Sequence, residues 1–298
     1  MKNDPFHILV LLRETCDPRP PVRLTADGYG VSERGLRRLA NPADLAALEQ
    51  ALQLAQTTGA KVTAVAIGPQ RLDDHLRLAL AMGAGCGIRV WNGHLQGGDV
   101  VAAARVTERV MEILAPDLIF TGSRLLDRGD EPSLALAAAK RGIPCLRAAV
   151  ELKPSANGVE ALRKVDRGGR QRVLAALPCA VLFEADSCEP RYPDQQALMQ
   201  ATTAPVEHWG LAELGLPVTK LGAGAALLDK GPCAFPRPNP LRVVTPDANL
   251  PAFERILALL SGGLKPREGK LHSLPAEQTV EKLLQIFAAE GLLGGSPP

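Results

Sequence analysis

An unbroken apolar run is comfortable in a folded chain only when both of its faces are covered, and this sequence has four such runs at wide intervals. They are HILVLL (7–12), KVTAVAI (61–67), DLIFTG (117–122) and CAVLF (179–183). Segments with helical spacing lie between the first three. In NPADLAALEQALQLAQTTG, Asn41 suits a cap, Pro42 the first turn and Gly59 the C-terminal stop, while Leu45, Leu48 and Leu52 share a face. RLDDHLRLALAMGA repeats the spacing with Leu72, Leu76 and Leu80, and 99–116 repeats it with Val106, Val110 and Ile113. Strands alternating with helices predict a parallel sheet between two helical layers, joined by right-handed crossovers. From CLRAAVELKP to VLAALP strand patterns follow one another without a helix. That stretch predicts an antiparallel extension of the same sheet.

The character changes near residue 204. Pro205, Pro217, Pro232, Pro236, Pro238, Pro240 and Pro246 punctuate a stretch with little periodicity, which reads as an extended arm. Two helix patterns close the chain, one with Phe253, Ile256, Leu257 and Leu260 clustered and one with Val280, Leu283, Leu284 and Phe287. Each has one apolar face, suited equally to its own domain or to another subunit. The expected division is an α/β nucleotide-binding domain over 1–204 and an arm with closing helices over 205–298.

Function classes narrow by composition. Aromatic residues are 3% of the 298, too few for a platform on which single-strand bases stack, and the net charge is only +2. Six dispersed cysteines with no CxxC pair read as reduced thiols in a cytoplasmic protein, and no apolar run is long enough to span a membrane. The five histidines are isolated, and no GxSxG or HExxH occurs, so no catalytic or metal-ligating set emerges. GAGCGI (83–88) runs from a helix into a strand, the reverse of a dinucleotide fingerprint, and GAGAAL (222–227) has no strand before it. Both read as turns. Asp73 and Asp74 complement the dipole of the helix they open.

In an open parallel sheet, ligands settle beyond the carboxyl ends of the strands. Three segments emerge there. One begins at Leu12 and Arg13, one at Ile67, and the third is TGSRLLDRGDEPS. Gly122 and Gly129 permit close backbone approach, and Ser133 with the first amides of the following helix can hold phosphate oxygens.

Several blocks together resemble the electron-transfer flavoprotein β-subunit family. GPQRLDDHLRLALAMGAGCGIRV is similar to that family's ALAMGA block, NPADLAALEQALQL to its helix start, and DRGGRQRVLAALPCAVLFEADSCEPRY to its signature. REGKLHSLPAEQTVEKLLQIFAAEGLL is similar to its closing segment, so the resemblance covers nearly the whole chain. It implies a three-layer, adenine nucleotide α-hydrolase-like fold that pairs with a related α subunit carrying the redox FAD. It implies AMP as a structural ligand here, on Leu12, Arg13, Asn41, Ile67, Gly122, Asp127, Arg128, Gly129, Asp130 and Ser133. The pair would be a carrier with no substrate turnover of its own, taking electrons from a flavin-dependent dehydrogenase towards a membrane quinone reductase. The EPRY block (Glu189, Pro190, Arg191, Tyr192) with Gln195 and Met199 would meet the client.

Departures from the family pattern fall in two places. The phosphate turn keeps Gly122 and Asp127 but loses the amide side chains, adds the acids Asp130 and Glu131, and retains one hydroxyl at Ser133. AMP is therefore the first expectation, an empty or altered site the second and FAD the third. In the docking loop Gln195 stands where an exposed leucine is usual, and Gln200, Thr202, Thr203 and Ala204 replace lysines, which implies a different client. The alternatives are a bifurcating-type subunit with its own FAD and an ATP-sensing stress-type module without flavin.

Overall fold

The structure is a computed structural model describing residues 6–155, 158–229, 231–235, 246–260 and 273–289. The chain divides into two compact units, Met1–Ala234 and Phe235–Pro298.

The first unit is built on a nine-stranded sheet. Its strands are β1 (His7–Leu11), β4 (Lys61–Ile67), β5 (Cys86–Val90), β6 (Leu118–Gly122), β9 (Cys145–Ser155), β10 (Gly158–Lys164), β11 (Arg170–Ala175), β12 (Cys179–Phe183) and β13 (Glu207–Trp209). Two small hairpins lie outside it, β2 (Glu14–Cys16) with β3 (Arg38–Ala40), and β7 (Arg124–Leu125) with β8 (Gly129–Asp130). The spatial order is β11-β10-β9-β12-β6-β1-β4-β5-β13. Seven strands run parallel, and β10 and β11 add antiparallel to β9, as the helix-free stretch predicted.

The helices are α1 (Pro42–Thr58), α2 (Asp73–Met82), α3 (Val100–Leu114), α4 (Ser133–Lys140), α5 (Gln195–Thr203) and α6 (Leu211–Leu214). Alternation along each strand divides the core. Ile8 and Val10 join Leu48, Leu76, Phe120 and Phe183 on one face, while Leu9 and Leu11 join Val106, Val110, Leu134 and Leu182 on the other. Every residue of β6 and β12 is buried, which is why their runs carry no polar alternation. Gly59 ends α1 in the left-handed conformation (φ 71°), its amide bonding Ala55 O. Ile113, expected in the α3 core stripe, is exposed.

The boundary drawn at 204 falls inside this unit. Residues 207–209 pair with β5 as the edge strand β13, and Leu214 and Leu221 are buried. The Asp99 carboxylate accepts from Leu227 N (2.7 Å) and Leu228 N (2.8 Å), and Arg109 Nε donates to Leu214 O (2.6 Å). Proline frequency carries no information about where a backbone packs.

Both glycine-rich motifs are turns. Gly83 ends α2 and leads into β5, and 222–225 form a short 3₁₀ turn. Asp73 does more than complement a dipole. It is buried and takes Arg89 Nε at 2.6 Å, with His208 Nε2 3.6 Å away, and so ties α2 to β5. Pro236, Pro238 and Pro240 lie outside the described residues.

In the second unit the closing patterns form α7 (Ala252–Leu260) and α8 (Ala276–Ala289). Their apolar residues are exposed. Phe253 is 71% and Leu260 79% accessible, and Ile256, Leu257, Val280, Leu283, Leu284 and Phe287 are all at least 40% accessible.

Candidate functional site

The carboxyl ends of β1, β4 and β6 open onto a cavity of about 350 Å³. Leu11, Leu12, Val65, Ile67 and Leu72 make its apolar floor, and charged residues make its rim.

One carboxylate holds the strand ends in place. Asp44, in the first turn of α1, is fully buried. It accepts from Arg13 N (2.8 Å), Arg13 Nε (3.0 Å), Arg13 Nη2 (2.5 Å), Gly122 N (2.7 Å) and Thr121 Oγ1 (3.2 Å). Arg13 Nη2 also donates to Gly122 O at 2.6 Å. Burial alone would lower the guanidinium pKa, but the facing Asp44 charge overcomes it and the net direction is upward. Arg13 was named as a nucleotide-facing residue; its donors go to the protein. Asp44 was quoted within a helix start and given no role. No sequence signal distinguishes a buried first-turn aspartate from one that merely complements the dipole.

Gly122 serves a different purpose from the one expected. A Cβ there would stand 2.4 Å from Ala43 Cβ and 2.7 Å from Ala43 C, so the residue lets β6 approach α1. Gly129 has φ 76° and open space around it, and it shapes the turn of the β7–β8 hairpin. Part of the expected phosphate turn is therefore paired, with Arg124 opposite Asp130 and Leu125 opposite Gly129. The Asp130 side chain lies outside the described residues. Asn41 precedes α1 as anticipated, yet its side chain does not cap that helix. It bridges the hairpin instead, donating from Nδ2 to Arg124 O (2.9 Å) and accepting from Leu126 N (3.3 Å).

Asp127 joins the hairpin to β2. Its Oδ2 accepts from Cys16 N (3.1 Å), and its amide donates to Thr15 Oγ1 (3.1 Å). Its Oδ1 is buried without a hydrogen-bond donor, the Arg128 Nε standing 3.5 Å off. Helix α4 begins at Ser133 with Pro132 before it and no side-chain cap, and Glu131 Oε1 accepts from the Ser133 amide at 3.4 Å.

A second cluster on the rim had no sequence signal, because its members come from three separate stretches, at 14, 33–38 and 71–75. Glu14 accepts from Arg38 Nη1 (2.7 Å) and Arg71 Nε (2.9 Å), with His75 Nε2 3.8 Å away. Arg38 also bonds Glu33. Burial pushes the Glu14 carboxyl up, Arg71 and Arg38 pull it down, and the net direction is downward.

At the other named surface, Arg191 is engaged internally. It donates to Glu49 of α1 from N (3.1 Å), Nε (2.8 Å) and Nη2 (3.0 Å). Tyr192 is 94% accessible, Glu189, Gln195 and Met199 are exposed, and Pro190 is partly covered. Asp194 caps α5 through Ala197 N (2.7 Å). Among the described residues, no cluster of three or more His, Cys, Asp or Glu side chains is placed to hold a metal, and no helix is long and apolar enough to cross a membrane.

Residues 29–214, more than half of the chain, match the electron transfer flavoprotein domain. The chain belongs to the electron transfer flavoprotein family. The electron transfer flavoprotein subunit beta of Methylophilus methylotrophus is 29% identical over 224 residues, spanning 74% of this chain and 85% of the relative. The corresponding subunit of Bradyrhizobium diazoefficiens is 31% identical over 214 residues, 71% of this chain and 84% of the relative. Protein FixA of Azotobacter vinelandii is 29% identical over 224 residues, 72% of this chain and 79% of its own. Within the electron transfer flavoprotein family the chain stands with the β subunits, not with ATP-sensing modules of similar architecture.

Proposed function

We propose that this chain pairs one to one with an electron-transfer flavoprotein α subunit that carries the redox FAD. The observation behind the pairing is the exposed apolar side of α7 and α8, eight large side chains that a soluble protein leaves bare only where something covers them. In this reading the β subunit has no substrate of its own. It steadies the partner that holds the flavin, and the pair takes electrons from a flavin-dependent dehydrogenase and delivers them towards a quinone reductase, in the cytoplasm. Tyr192 and Met199, with Glu189, Pro190 and Gln195 around them, form the client face; Arg191 holds that segment on α1 through Glu49.

The cavity is assigned to an adenine nucleotide, with AMP the first candidate. Its volume lies in the range of small-ligand sites. Leu12 and Ile67 would carry the base, the unpartnered Asp127 Oδ1 would accept from a ribose hydroxyl or an amino group, and Ser133 with the α4 amides would face the phosphate. Such a ligand supplies no redox chemistry; it fills the open end of the sheet. Co-expression with the α subunit, followed by sizing and an absorbance spectrum, tests the pairing. A 1:1 complex with a flavin spectrum is expected. A stable homodimer without flavin would overturn it.

A further inference from the structure

The phosphate end of the cavity already contains an anion. Glu131 Oε1 accepts from the Ser133 amide (3.4 Å), the first amide of α4 and the one a ligand phosphate would use. Pro132, immediately before it, contributes no N–H. Glu131 and Ser133 both line the cavity.

Three of the four arginines around the cavity are committed elsewhere. Arg13 is held by Asp44 and Gly122 O, Arg38 by Glu14 and Glu33, and Arg71 by Glu14, while the largely exposed Arg128 stands 3.5 Å from Asp127 Oδ1. A phosphate entering this space would meet a carboxylate already on the Ser133 amide and three arginines whose charge is already offset. A neutral nucleoside would meet the same apolar floor and the same open acceptor at Asp127 without that conflict.

We infer that Glu131 is a specificity-determining residue, an internal carboxylate seated where the phosphate would lie, which turns the cavity from a nucleotide site towards a nucleoside site. This rests on the assignment of the cavity to an adenine ligand. A phosphorylated ligand binds only by displacing Glu131 from the Ser133 amide, so the native complex retains AMP weakly and adenosine at least as well.

Calorimetric titration of the intact heterodimer with adenosine and with AMP, for the native chain and for Glu131→Gln and Glu131→Ser, separates the outcomes. Expected is adenosine binding equal to or tighter than AMP in the native complex. Both variants should tighten AMP about tenfold and leave adenosine unchanged. Native AMP binding much tighter than adenosine, with no gain in either variant, would overturn the role of Glu131 while leaving the cavity assignment standing. Binding of neither ligand to any of the three complexes would overturn the cavity assignment itself, and the role of Glu131 with it.

Discussion

The two compact units use apolar side chains in opposite ways. In the first, strands and helices close on each other, so that Phe120, Phe183 and Leu48 are wholly buried. In the second, α7 and α8 have the amphipathic spacing of ordinary helices, but their apolar residues are exposed. Spacing of 3.6 residues specifies a helix with a sticky side; it does not specify what that side meets. The contrast separates a part of the chain that holds itself together from a part whose apolar faces stand open, which the proposed association would cover.

The comparison can be broken first at the self-sufficient end. Asp44→Ala leaves the buried Arg13 guanidinium, the Gly122 amide and the Thr121 hydroxyl without their shared acceptor. A loss of about 3–5 kcal/mol is expected by denaturant titration of the purified complex, with the cavity end of the sheet the first to open in hydrogen exchange. At the other end, Leu257→Glu or Leu283→Glu should leave the unfolding of the first unit unchanged and weaken α-subunit binding about ten- to hundredfold, read by sizing at dilution. If those variants unfold the first unit, the contrast between the two units is false.

Arg191→Ala sharpens the same contrast at the proposed client surface. Glu49 is nearly fully buried and would lose its charged partner, so a stability cost of about 2 kcal/mol is expected. Tyr192→Ala should cost no stability and slow reduction by the client dehydrogenase instead. The smallest effect concerns His75. Burial pushes its imidazole below the ordinary value, although Glu14 and Asp74 pull it up and Arg71 pushes it down. The unfolded chain therefore takes up the proton first, and stability falls as pH drops through about 6.5. A decline of about 2 °C in melting temperature between about pH 7 and about pH 5.5, reduced in His75→Gln, would show it.

The sheet, its antiparallel extension and all five long helices of the pattern were legible because burial on both faces and helical periodicity leave direct marks on sequence. Even the closing helices were readable, though not their exposure. What escaped has a common physical cause. Asp44, Glu14, Arg38 and Arg71 act through partners distant in sequence, and a charged residue looks the same whether it is solvated or paired. Gly122 and Arg13 were expected at the nucleotide, yet their atoms serve the packing of β6 on α1 and the binding of Asp44. The edge strand β13 was hidden by prolines, which mark irregular backbone but not where it packs.

The most direct measurement is to co-express the chain with its α subunit, denature the complex in acid and count every released nucleotide per pair. The expected result is one FAD with AMP below one equivalent, as a carrier pair with Glu131 at its phosphate end requires. Two FAD per pair, or a complex with no flavin at all, would contradict the account.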